Sequence, residues 1–197
     1  MLGDPISTDY LGVEEVRSIP ARNSKQDDQY REAIAIFGHA LDRLACAYES
    51  DPDTRRDLMQ DIHLALWRSF ANFDGRCSLR TWVYRVAHNA AASHVIRQQR
   101  MKKRKFVTLD ELENLPDRAQ ESADIAADRG KTLERLSLLI QRLDPLDRQV
   151  IVSYLEGMQA DVISEITGIS AGNIPVKIHR IKNILGRRFN QGANHGK

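Results

Sequence analysis

A chain of 197 residues, 42% hydrophobic and 28% charged, has the make-up of a water-soluble globular protein and the length of one ordinary domain or two small ones. It holds no apolar run near the roughly 20 residues that span a bilayer, so no membrane insertion is expected, and its two cysteines, Cys46 and Cys77, fit neither a metal spacing nor a disulfide framework. A net charge of +2 excludes little by itself.

Residues 1–25 begin "MLGDPISTDYLGVEEVRSIP". They lack both a sustained period and a basic start followed by an apolar stretch, so they read as a flexible arm with no secretory leader, and a cytoplasmic location is expected. From about Asp27 to Glu49, Ile34, Phe37, Leu41, Leu44 and Tyr48 recur at steps of three and four, the pattern of an amphipathic helix. "ESDPDT" interrupts it, since Pro52 cannot continue a helix and Asp51 or Asp53 can cap the next. A second helix is predicted from about Asp53 to Phe70, with Leu58, Ile62, Ala65 and Ser69 on one stripe. "NFDGRCS" is a turn, and Ser78 is placed to cap a third helix from about Leu79 to Arg100. On that helix Val83, Val86, Ala87, Ala90 and His94 are expected to face the core, with Arg85, His88, Asn89, Ala92 and Ile96 on another side.

Residues 101–130 change character. "LDELENLPDRAQESADIAADRG" is acidic and poor in large apolar residues, the composition of a flexible linker. A second helical unit starts near Lys131, with Leu133, Leu136, Ile140 and Leu143 in register. Asp144 and Pro145 restart a helix as N-cap and first residue, and Gly157 is placed to end it. Strand signals are missing throughout. The expected fold class is all-α: a flexible arm (1–25), a helical domain (26–100), an acidic linker (101–130), a second helical domain (131–190) and a tail (191–197).

Charge is distributed unevenly. All 27 acids lie between Asp4 and Asp74 or between Asp110 and Glu165. The acid-free gap at 75–109 carries nine basic residues, and the gap at 166–197 carries six. Two such segments, each on a predicted helix, suggest two surfaces for a polyanion. Within the second gap, a short helix, a turn at Gly168-Ile169-Ser170 and a basic helix have the form of a helix-turn-helix, with the small Ser164 letting the helices approach. A generic pair of hairpin helices is the blander alternative. The first gap pairs cations with Trp82 and Tyr84 at the start of a helix. Aromatic faces of this kind stack on unpaired bases, and they equally serve as core residues; the residues alone leave both readings open.

The stretches "DLMQDIHLALWRSFANFDGRCSLRTWVYRVAHNAAASHVIRQQR" and "LDPLDRQVIVSYLEGMQADVISEITGISAGNIPVKIHRIKNIL" resemble regions 2 and 4 of the extracytoplasmic-function (ECF) sigma factors, small initiation factors of bacterial RNA polymerase. The resemblance implies a promoter-specificity subunit, not an enzyme and without a cofactor, whose partners are promoter DNA and core polymerase through its β′ coiled coil and β flap. It places Asp57, Gln60, Asp61, Leu64 and Arg68 on the polymerase surface. It assigns the minus-ten element to Phe73, Arg76, Ser78, Arg80, Trp82, Arg85 and Asn89, with the loop Phe73–Ser78 capturing a flipped base. It assigns the minus-thirty-five element to Ser170, Asn173, Ile174, Lys177 and Arg180. Pro175 stands where the family has a basic residue, which implies a late helix start. The acidic linker resembles the family's connector through polymerase. Many members of the family are also held by an anti-sigma factor, so a partner of that class belongs among the expectations.

Two other classes compete. A conventional helix-turn-helix regulator with an N-terminal dimerisation or sensing domain would bind duplex operator without polymerase. An enzyme would need a signature that the sequence lacks: His88 and His94, six residues apart, do not form the i, i+4 pair of a helical zinc site.

Overall fold

The computed structural model describes residues 21–102, 109, 111 and 129–191, and among these the regular structure is helical, without a strand. The first twenty residues, most of the acidic linker and the tail beyond Gln191 lie outside the described residues. The expectations of a flexible arm and a threading connector fall there.

The first helix, α1 (Ala21–Tyr48), begins earlier than the expected Asp27. Its extra turns are held by polar contacts with the second helix, α2 (Pro52–Ser69). The buried Gln26 side chain donates to the Trp67 carbonyl at 2.6 Å, and the Trp67 indole donates to Asp27 at 2.7 Å. Such contacts leave no hydrophobic period in the sequence. Asp51 caps α2 by accepting from the Thr54 N–H and hydroxyl, with Pro52 in the first turn, where its missing N–H is no loss. A 3-10 turn, Phe70–Asn72, follows. The third helix, α3 (Leu79–Lys102), opens with Ser78 Oγ accepting from the Thr81 N–H at 3.0 Å. The three helices close on Leu41, Leu44, Leu58, Ile62, Leu66, Phe70, Val83, Tyr84 and Ala87, all buried. Tyr84 is therefore a core residue.

The second unit comprises α4 (Arg129–Ile140), α5 (Pro145–Leu155), α6 (Ala160–Thr167) and α7 (Asn173–Gln191). Asp144 accepts from the N–H groups of Leu146 and Asp147 at 2.9 and 3.0 Å, with Pro145 first in α5, as the sequence predicts. Gly157 ends the turn after α5 at φ 75°, and Gly168 ends α6 at φ 77°. An L side chain is strained at either angle. Pro175 sits in the first turn of α7, where backbone N–H groups have no intrahelical acceptor, so the proline fits without breaking the helix. Ile163, Ile166, Ile174, Ile181 and Leu185 fill the space between α6 and α7. One expectation fails on α4: Leu133 is 65% exposed, and Leu136, Leu139 and Ile140 make the contacts instead.

The two units also pack on each other, with α1 and α3 on one side and α4, α5 and α6 on the other. This seam is largely polar. Arg43 donates to both carboxylate oxygens of Glu156, at 2.8 and 2.7 Å, and the Tyr84 hydroxyl donates to the same carboxylate at 3.0 Å. Gln141 donates to the Cys46 carbonyl at 2.8 Å. The buried Arg148 guanidinium donates to the carbonyls of Gln141, Leu143 and Tyr48 and lies over the Tyr48 ring. His88, expected on a side of α3 other than the core-facing one, is fully buried between Tyr48 and Ser153, 3.0 and 3.1 Å from their hydroxyls. Its face is covered by the second unit, which the periodicity of α3 alone cannot reveal.

Candidate nucleic-acid and polymerase interface

Steps of three and four bring Asp57, Gln60, Asp61, Leu64 and Arg68 to one stripe of α2. Asp57, Gln60 and Arg68 are exposed, and so is Leu64 at 46%. Asp61 differs from its neighbours. It lies 3.0 Å from His94 Nδ1 and accepts from Arg97 at 2.6 Å, and these bonds hold its carboxyl below the usual range although partial burial pulls it upward. Asp61 thus ties α2 to α3 and holds the stripe in place from beneath.

The next cluster surrounds the start of α3. Trp82 is half-buried, its ring centre 5.2 Å from that of Phe73, which in turn packs edge-on against Phe70. The Trp82 indole N–H donates to Ser69 Oγ at 2.9 Å, and Ser69 Oγ donates to the Leu66 carbonyl. Arg76 is exposed and bound to Asp74 at 2.5 Å, while Ser78 is exposed and caps α3. Asn89 is exposed further along the same helix. Arg80 and Arg85 point at the second unit: Arg80 donates to the Glu156 carbonyl at 2.5 Å and Arg85 to the Glu165 carbonyl at 2.7 Å. All seven minus-ten positions of the sequence reading therefore gather on one loop and the first half of one helix.

The minus-thirty-five set is only partly brought to a surface. Ser170, Asn173 and Arg180 are exposed at the turn and the start of α7. Ile174 is fully buried and takes no part in an outward surface. That assignment is corrected, because Ile174, Ile178, Ile181 and Leu185 form the apolar stripe that seats α7. Lys177 lies against the buried Asp147 carboxylate. Burial and the neighbouring Asp144 push Asp147 up to about 6, against the pull of Lys177. Val176, absent from the sequence reading, is 69% exposed, and His179 and Asn183 continue its face. The signal was available: Val176, His179, Arg180 and Asn183 keep steps of three and four opposite the buried stripe. Glu156, Arg43 and Arg148 were missed for another reason, since they act across the seam and no local pattern marks them.

A helical bundle with cations and aromatic rings at the start of α3, followed by a helix-turn-helix, has the architecture of a nucleic-acid-binding factor. Residues 34–101 match the family Sigma-70 region 2, and residues 133–185 match Sigma-70, region 4. The chain is 22% identical over 187 residues to the RNA polymerase sigma-H factor of Pseudomonas aeruginosa, spanning 89% of this chain and 94% of that one. It is 22% identical over 190 residues to the ECF RNA polymerase sigma-E factor of Escherichia coli K12, spanning 90% and 92%. Its fold is similar to the structure of CnrH in complex with the cytosolic domain of CnrY, with a TM-score of 0.58 at 19% identity over 86% of this chain and 93% of the other. The chain belongs to the sigma-70 family, in its ECF branch, and is an RNA polymerase sigma factor that directs promoter recognition and transcription initiation.

Proposed function

We propose that the two surfaces divide the promoter between them. The exposed stripe Asp57, Gln60, Leu64 and Arg68 docks on the β′ coiled coil of core polymerase, with Asp61 as the positioning group behind it, and the second unit meets the β flap. Asn173, Val176, His179 and Arg180 lie in the major groove of the minus-thirty-five element, with Ser170 at its edge. Val176 contributes an apolar contact, as a thymine methyl offers. Lys177 holds Asp147 and supports that surface from below. The face made by Phe73, Arg76, Ser78, Arg80, Trp82, Arg85 and Asn89 takes the opened strand of the minus-ten element.

Melting follows from differential binding: an unpaired base gains stacking and backbone contacts that a paired base cannot make. The protein contributes binding and no catalysis, works in the cytoplasm beside its polymerase, and has an anti-sigma factor among its candidate partners. The observation that carries this reading is the Phe73–Trp82 pair, half-exposed at the start of a helix in a segment, residues 75–109, that holds no acid in sequence. The decisive experiment is run-off transcription with core polymerase on a library of promoter sequences. Defined start sites that appear only with this protein are expected. A chain that never associates with core enzyme would refute the reading.

A further inference from the structure

Lys177 lies on the stripe of α7 that also carries Asn173, one turn before it, and Arg180, one turn after. Those two residues are exposed, whereas the Lys177 side chain is 28% exposed and its ammonium rests on Asp147 Oδ1. Asp147 belongs to α5, which packs along α7, and its side chain is only 3% exposed. A carboxylate buried this deeply needs donors for its oxygens. Among the described residues Oδ1 has the Lys177 charge against it but no aligned hydrogen-bond donor. Burial and the second negative charge of Asp144, at the start of the same helix, outweigh the pull of Lys177 and push Asp147 up to about 6. Other charges packed around α5 are engaged elsewhere. Arg148 is turned onto the carbonyls of Gln141, Leu143 and Tyr48 and feels Glu49 of α1, while Arg43 and Arg80 meet Glu156. His88 of α3 meets Ser153, and Asp161 and Glu165 of α6 are exposed.

We propose that Asp147 sets the affinity for the minus-thirty-five duplex: its carboxylate withholds the Lys177 charge from the DNA backbone, and its protonation releases that charge to a phosphate. This rests on the placement of α7 given under Proposed function. A lysine ammonium on a flexible four-carbon stem exchanges one oxygen partner for another while the helix stays where it is. The linkage runs both ways. DNA is a polyanion, and negative charge brought near a carboxyl group favours its protonated form, so duplex binding takes up a proton from solvent. Affinity therefore rises as the pH falls through the Asp147 range, and each bound duplex then releases one more counterion. Asp147 touches no base in this scheme; it acts through Lys177.

The test compares the parent, Asp147→Asn and the double variant Asp147→Asn with Lys177→Gln. Each full chain, as holoenzyme with core polymerase, is titrated on a fluorescent upstream duplex taken from a promoter of the run-off library. The Asp147→Asn amide keeps the shape of the protonated carboxyl and does not titrate. At pH 7.5 and about 0.1 M salt, the single variant should bind about eightfold tighter than the parent, the gain from one more neutralised phosphate at a slope of about 0.9. Its salt slope should be steeper by about one. At pH 5 the two proteins should coincide. His179, exposed on the same helix, is common to both and cancels from the comparison. The double variant should lose the whole gain of the single one at either pH. Should the single variant fold poorly, the parent is set against the double variant, relative to which it should gain about eightfold between pH 7.5 and pH 5. Equal affinities of parent and single variant at pH 7.5, parallel pH profiles, or a gain that survives the loss of Lys177 overturn the proposal. If the library yields no start site, the functional reading fails. The same three proteins, titrated without polymerase on a duplex pool of random sequence, then judge the withheld charge by the same gap.

Discussion

Acidification is expected to weaken the seam through His88. Burial pushes its pKa down to about 3, against about 6.5 for an exposed imidazole. The folded chain keeps the ring neutral where the unfolded chain binds a proton. This contribution is therefore complete above pH 6.5 and is lost progressively as the pH falls toward 3. From pH 7.5 to pH 5 it amounts to about 2 kcal/mol, one and a half pH units at about 1.4 kcal/mol each. The groups facing the ring do not change charge over that window. Tyr48 on α1 and Tyr84 on α3 are both pushed above their ordinary values by burial, Glu156 is held below its own by Arg43, burial lowers Arg148 only from a value far above this window, and the Ser153 hydroxyl does not titrate. Asp147, pushed up to about 6, acts in the opposite sense, its folded form gaining stability as it protonates. A single pH profile would blend the two. Denaturant unfolding of the unaltered chain and of His88→Gln, which hydrogen-bonds but does not titrate, separates them. The stability gap between the two proteins should shrink by about 2 kcal/mol between pH 7.5 and pH 5. Parallel pH profiles would refute the reasoning.

Asp144→Ala removes the acceptor for two N–H groups at the start of α5 and should lower stability by about 1 kcal/mol in the same unfolding assay. Ile174→Ala should lower it by about 2–5 kcal/mol, as a truncation of a fully buried side chain does, and a variant as stable as the parent would return Ile174 to the DNA surface. Val176→Ala should be nearly neutral in stability, while replacing minus-thirty-five thymines by deoxyuridine should weaken promoter binding by the parent and not by the variant. Trp82→Ala should reduce open-complex formation far more than capture of core polymerase; equal losses would mean that the ring serves the bundle alone.

Much of the fold is legible in the sequence because its signals are local. Asp144-Pro145 states where a helix begins, Gly157 and Gly168 state where helical segments end, and the isoleucine stripe states how α7 is seated. The early start of α1 is not legible, since Gln26 and Asp27 are held by Trp67, some forty residues away. His88 was misplaced for a related reason: the periodicity of α3 separates an inner side from an outer one, and it is Ser153, on a helix of the other domain, that makes the outer side an interior. The site follows the same division. Positions such as Trp82, Arg80 and Asn173 are singled out only by the resemblance to the family, because their residue types alone leave their roles open. Ile174 follows a family position, whereas the chain's own stripe seats it in the core and turns Val176 outward, and the contacts of Arg80 and Arg85 with the second unit are visible only in three dimensions.

The bracing of Trp82 has a thermodynamic corollary. With its indole N–H fixed on Ser69 and one face against Phe73, the ring has already surrendered most of its rotational freedom when the protein folds. In the proposed role, a nucleobase arriving at it would meet a surface that needs no further ordering, and the entropic penalty of capture would fall mainly on the nucleic acid.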